Sequence, residues 1–193
     1  MILKNLKKST IIFIKPLGRT EIIMKRILPI ILAIVLTFTV LTSCSKDGVP
    51  DGMKLASSEK ANYTLYVPED WVIGAQESFT IANSKDKIPN VSATSYELEN
   101  TDSDLDSWWE TELVNLEEGF KEIKVESSEK TTLAGRNAME KIYTAKLSDK
   151  EYKYHQVAAI ENGYVYIVTF TSLPDSYEDY KDTFSSILKE FKF

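Results

Sequence analysis

From Asn62 onward the chain switches between two hydrophobic periods. In "NYTLYV" every second residue from Tyr63 is apolar, giving Tyr63, Leu65 and Val67, and Pro68 ends the run. A period of two puts those three side chains on one face of a strand. "SFTIAN" and "NVSATSYEL" read as two further strands, separated by the polar stretch "SKDKIPN". The period then lengthens. Leu105, Trp109, Leu113, Leu116 and Phe120 fall within about 80° of a 3.6-residue wheel, one face of a helix. Acids gather at its start in "TDSDLD", where the helix dipole favours them. Ser103 and Asp106 have the spacing of a capping box, and Gly119 is placed to stop the helix.

Four extended segments follow: "EIKVESSE", "RNAMEKIYTAKL", "EYKYHQVAAI" and "YVYIVTFTSL", with "LAGR" and "ENG" as tight turns. The last strand is apolar on both faces, with Tyr164, Tyr166, Val168 and Phe170 on one and Val165 and Ile167 on the other. Such a strand needs cover on both sides. After Pro174 a second helix runs from about Ser176 to Lys189, and Tyr177, Tyr180, Phe184, Ile187, Leu188 and Phe191 make its core-facing stripe. Strands joined by short turns cannot be parallel. The pattern predicts an α+β fold, a largely antiparallel β-sheet with helices packed on its faces in an α/β/α sandwich.

Ahead of this domain the pattern is of another kind. Ile27 to Thr42 is a run of sixteen residues without a charge, preceded by Lys25 and Arg26. A membrane-crossing helix needs about 20 apolar residues, so the layout is that of a secretory signal peptide. "LTSC", Leu41 to Cys44, resembles the lipobox of bacterial lipoproteins. The resemblance implies that Cys44, the only cysteine, becomes the mature N-terminus and carries a diacylglyceryl group. Each buried methylene contributes about 0.8 kcal/mol, so two acyl chains make a lasting anchor. The expected organisation is a superfluous extension over residues 1–23, with translation starting at Met24, and a lipoprotein signal peptide over 24–43. The lipidated cysteine and a flexible Gly-, Pro- and Ser-containing tether occupy 44–60, and a globular domain 61–193.

Charge sharpens the division. Residues 1–44 hold seven of the 23 basic residues and one of the 29 acidic ones, which leaves 16 against 28 beyond Cys44, a net of −12. A field of that sign disfavours nucleic acid and charge-driven docking on an anionic bilayer. The membrane is thus a partner through the lipid alone, and a domain of this length buries enough core to stand as a monomer.

Three stretches together resemble the PsbP-like and DcrB-like group over about Asn62 to Phe193. They are "YTLYVPEDWV", "TTLAGRNAMEKIYTAK" and "YVYIVTFTSLPDSYEDYKDTFSSILKEFKF". The resemblance implies an antiparallel sheet between helices, and action by binding partners, as in extrinsic photosystem subunits and a nuclear-transport regulator.

Catalytic chemistry finds little purchase. His155 is the only histidine, it falls in a strand on what reads as a partly exposed face, and there is no Gly-x-Ser-x-Gly elbow. Asp102, Asp104 and Asp106 alternate like the first ligands of a calcium loop, but Ser107 and Leu113 stand where that loop needs Gly and Glu. No catalytic, cofactor or metal residue is assigned. Trp108 lies about 100° from Trp109 at the edge of the helix stripe; with Asp104 and Glu112 it forms the candidate partner surface. The expectation is a lipid-anchored, non-enzymatic binding or accessory module on the extracytoplasmic face of a bacterial cell membrane, with the Lys- and Ile-rich composition leaning towards a Gram-positive host. The alternatives are a receptor for a small cation or basic ligand on the acidic surface, and a hydrolase using a carboxylate pair.

Overall fold

The computed structural model describes residues 48–99 and 104–193. The expected extension, the signal peptide, Cys44, Asp102 and Ser103 lie outside the described residues. Within them the chain forms β1 (Met53–Leu55), β2 (Tyr66–Pro68), β3 (Val72–Gln76), β4 (Phe79–Asn83) and β5 (Asn90–Glu97). Helix α1 (Leu105–Gly119) leads into β6 (Lys121–Leu133), β7 (Arg136–Leu147), β8 (Lys150–Glu161) and β9 (Tyr164–Ser172). One 3₁₀ turn, Pro174–Ser176, then opens α2 (Tyr177–Lys189).

The long strands are joined by two-residue turns whose central residues both have positive φ: Ala134 and Gly135, Ser148 and Asp149, Asn162 and Gly163. Turns of this twist match the right-handed twist of the strands they connect, which is why "AG" and "NG" close hairpins here. β3 to β9 make one seven-stranded sheet in the order β3-β4-β5-β9-β8-β7-β6, with every neighbour antiparallel. β1 and β2 pair separately as a short ribbon.

Both faces of the sheet are covered. On one, Tyr166, Val168 and Phe170 of β9, with Val157 and Ala159 of β8, pack against Tyr177, Phe184 and Ile187 of α2. Leu65, Val67 and Trp71 around β2 extend that same core. On the other face, Val165 and Ile167 of β9, Ala158 and Met139 meet Trp108 and Trp109 of α1. Tyr143, Ala145 and Tyr154 continue this second layer beneath Leu116 and Phe120. The fold is therefore an antiparallel sheet between two helices.

The ends of the elements differ from the sequence-based expectation. Met53 to Leu55 is already a paired strand and Ala56 is buried, so ordered chain begins before residue 61. The residue capping α1 is Asp104, whose carboxylate accepts the Ser107 N–H at 2.8 Å. Gly119 ends the helix without a left-handed φ, and Phe120 turns straight into extended backbone. At the other end of the chain, Thr64 and Lys192 form a backbone bridge, N–H to carbonyl in both directions at 2.8 and 3.1 Å. The buried Tyr63 beside it lies within 2.9–3.1 Å of Ala93 O, Thr80 Oγ1 and Ser78 O, which fixes this entry strand to β4 and β5.

The two sheet edges are unlike. β6 carries Lys121, Glu122, Lys124, Glu126, Glu129 and Lys130 and breaks register twice against β7. Charges and bulges of this kind discourage further strand pairing. β3, "VIGAQ", carries no charge.

Phe184 is fully buried, stacked on Phe170 at 5.3 Å and edge-on to His155 at 4.7 Å. Phe184→Ala is expected to cost about 3–5 kcal/mol in urea unfolding, from lost transfer energy and the cavity left behind. Val114→Ala, at a residue 59% exposed on α1, should stay within about 0.5 kcal/mol of wild type. Equal losses at the two positions would refute the assignment of α2 as the lid of the main core.

Candidate functional site

An open cleft of about 640 Å³ lies at the end of the sheet where the β6–β7 and β8–β9 turns come side by side. Its sheet wall is Arg136, Glu161 and Tyr166, and its opposite wall is the segment after α2, Phe191 to Phe193. Hairpin register builds the polar part. Ala138 pairs with Ala159 across β7 and β8, and continuing that ladder to its end sets Arg136 opposite Glu161. Arg136 Nη2 stands 3.0 Å from Glu161 Oε1, while 58% of the arginine side chain stays exposed. The apolar part is a set of edge-to-face rings. Phe193 meets Tyr166 at 4.7 Å and Phe191 at 5.5 Å, and Phe191 in turn stacks on Tyr63 at 5.8 Å. Asn62 and Asn162 stand at the rim, with Lys192, whose ammonium leans over Tyr66. Among the side chains that line the cleft one is a carboxylate, Glu161, and it faces a guanidinium.

A second constellation lies under α2. His155 Nε2 is 2.5 Å from Glu140 Oε1, and its Nδ1 is 2.9 Å from the Tyr177 hydroxyl. These distances suit a neutral imidazole that donates Nε2–H to the carboxylate and accepts the phenol proton at Nδ1. Burial holds the imidazole below its ordinary pKa of 6.5 against the pull of Glu140, with Lys181 and Lys153 adding to the depression. Burial also pushes the Tyr177 phenol up to about 12, helped by the charges of Glu140, Glu178 and Glu126. Lys153 places its ammonium 4.5 Å from the Tyr177 ring centre and 2.7 Å from Glu126. A carboxylate, an imidazole and a hydroxyl in line have the connectivity of an acid–base relay. His155 and Tyr177 are only 4% and 2% exposed, however, and none of the three residues lines the cleft. A reacting group needs room beside it for a substrate atom. Here the chain of hydrogen bonds joins β7, β8 and α2.

The structure redistributes the residues singled out from the sequence. His155 is buried, not on a partly exposed face, because its strand lies inside the sheet and α2 covers that side. Trp108 is 6% exposed. Its indole N–H donates to the Tyr96 hydroxyl at 2.9 Å and its ring meets Trp109 edge-on at 4.9 Å. It therefore presents no aromatic surface to a partner; the helix sits close enough to β5 to bury the rim of its stripe. Asp104 is exposed and spent on the helix cap, and Glu112 is half-buried, its carboxyl raised above the usual range by burial. The three do not form an open surface. Among the described residues no group of three or more His, Cys, Asp or Glu side chains is placed to hold a metal ion, and no helix is long and apolar enough to cross a membrane.

The cleft was not anticipated from the sequence, although a signal existed. Arg136 is the only arginine beyond Cys44, and it follows the "LAG" of one tight turn as Glu161 precedes the "NG" of another.

No family model matches the chain, and no curated protein matches it in sequence. Among solved structures it is similar to the solution structure of cyanobacterial PsbP (CyanoP) from Synechocystis sp. PCC 6803. The TM-score is 0.56 and the identity 16%, over 78% of this chain and 97% of that one. LpqN of Mycobacterium tuberculosis, described as involved in cell envelope biogenesis, aligns with a TM-score of 0.47 and 16% identity over 72% of this chain and 89% of its own. PA94 of Pseudomonas aeruginosa, described as a protein of unknown function, gives 0.48 and 17% over 69% and 92%. The fold is PsbP-like.

The depressed pKa of His155 has a consequence for stability. Well above pH 6.5 the imidazole is neutral in both folded and unfolded chains, so it adds no pH dependence there. As the pH falls below 6.5, the unfolded chain takes up a proton that the folded chain refuses, and stability is lost. Urea midpoints between roughly pH 7.5 and pH 5.5 should fall more steeply for wild type than for His155→Gln. Parallel curves, or a steeper fall in the variant, would show that His155 is not held neutral.

Proposed function

We propose that this chain is a lipid-anchored, extracytoplasmic binding module without catalytic activity of its own. The observation that carries the reading is the conjunction of the lipobox-like "LTSC" with a PsbP-like body that is ordered from the residues just after it. β1 begins at Met53, so even fully extended chain from Cys44 reaches no more than about 30 Å. A lipid on Cys44 would hold the body close to the bilayer surface. The net charge of −12 beyond Cys44 then keeps the acidic body from spreading on anionic lipid. The PsbP-like resemblance supports action by binding. A cation receptor or a carboxylate-pair hydrolase requires acids that converge in a cleft, and the cleft at the turn end of the sheet supplies Glu161 beside Arg136.

Fractionation and intact mass of the protein made in its own host test the anchor. Wild type should partition into the membrane with a mass that starts at Cys44 and includes a diacylglyceryl group, while Cys44→Ala should not mature in this way. Recovery of wild type with residues 1–44 intact and Cys44 unmodified would refute the lipid anchor.

A further inference from the structure

The cleft has a chemistry opposite to the domain around it. The residues beyond Cys44 carry a net charge of −12, yet their single arginine stands at this cleft. Arg136 gives one nitrogen of its fork to Glu161. Its other N–H donors have no side-chain acceptor among the described residues, and the side chain is more than half exposed. A guanidinium edge in this state matches a planar carboxylate. A dianion fits poorly, because Glu161 lies 3.0 Å from the same guanidinium and the field of the domain is negative. The ring wall sets the rest of the ligand. Phe193 is half-buried against the core and fixed edge-on by Tyr166 and Phe191, and the part of its ring that lines the cleft offers an apolar contact. The cleft, about 640 Å³, has room for a small ligand but is open, so it covers only part of one.

We propose that the cleft between Arg136 and Phe193 binds a small aromatic acid, with its carboxylate on the free edge of the Arg136 guanidinium and its ring against Phe193. Glu161 restrains the site: it holds the arginine in place and weakens the attraction for anions. This binding does not depend on lipid attachment at Cys44, and loss of the anchor reading leaves it standing.

The test is a ligand-observed NMR titration of the full chain in detergent micelles, with protein-free micelles as the blank. Phenylacetate is the probe and phenylacetamide its uncharged counterpart. An open cleft and so small a ligand set the expected affinity in the millimolar range. Phenylacetate should bind wild type roughly tenfold more tightly than phenylacetamide. Arg136→Gln should remove that preference and Arg136→Lys retain part of it. Glu161→Gln should strengthen acid binding, and Phe193→Ala should weaken both probes. Thermal melts confirm that each variant is folded. Opposite effects at Arg136 and Glu161, which form one ion pair, are not what a purely structural pair would give. The proposal is overturned by equal binding of the two probes, by acid binding that survives Arg136→Gln, by weaker acid binding in Glu161→Gln, or by no saturable binding of phenylacetate to wild type.

Discussion

β9 is the strand on which the architecture depends. It lies in the middle of the seven-stranded sheet, paired on one side with β5 and on the other with β8, and its side chains are apolar in both directions. Burying one face alone would leave either Val165 and Ile167 or Tyr166, Val168 and Phe170 in water. At about 1.5–3 kcal/mol for each large apolar side chain, neither loss is small against the total stability of a domain. Two helices are therefore required, one to each face, and the connections follow. The link from β5 must carry α1 to one side, and the chain after β9 must fold α2 back over the other.

Polar groups inside this sandwich serve the same docking. Tyr63 reaches across to β4 and β5, and His155 couples β7, β8 and α2. Buried donors and acceptors cost free energy when left unpaired, so these contacts allow one placement of each peripheral segment on the sheet where apolar packing alone would tolerate several. The cleft arises where that packing runs out, at the turn end, with hairpin termini on one side and the tail after α2 on the other.

Periodicity exposed the elements that are long enough to repeat. β7 to β9, α1 and α2 were each legible because an apolar stripe recurs several times in one segment, whereas of the charged β6 only "EIKVESSE" was read as extended. β1 and β3 were not, since "MKL" sits in a Gly- and Pro-containing stretch and "VIGAQ" is short and interrupted by Gly74. The helical wheel placed Trp108 at a rim but carried no information about how near β5 would stand, and Tyr96 closes that rim. Alternation could not say whether a second layer would lie over His155. Arg136 and Glu161 are far apart in sequence, and only the register between β7 and β8 brings them together. Strand identity is local, whereas a cleft is a property of pairings.

The bridge between Thr64 and Lys192 ties the segment entering β2 to the segment after α2, and β5 cannot pair fully without β9. β1 to β5 precede α1 in the chain, but the strand that completes their sheet and the backbone that closes their entry segment lie far beyond it in sequence. The helix and three further strands therefore separate the β3–β5 hairpins in sequence from the partner that completes their sheet. The C-terminal meander, whose strands are neighbours in sequence, can assemble with little loop-closure entropy. In this molecule the segments before α1 therefore depend most on partners distant in sequence, and securing them carries the largest loop-closure cost.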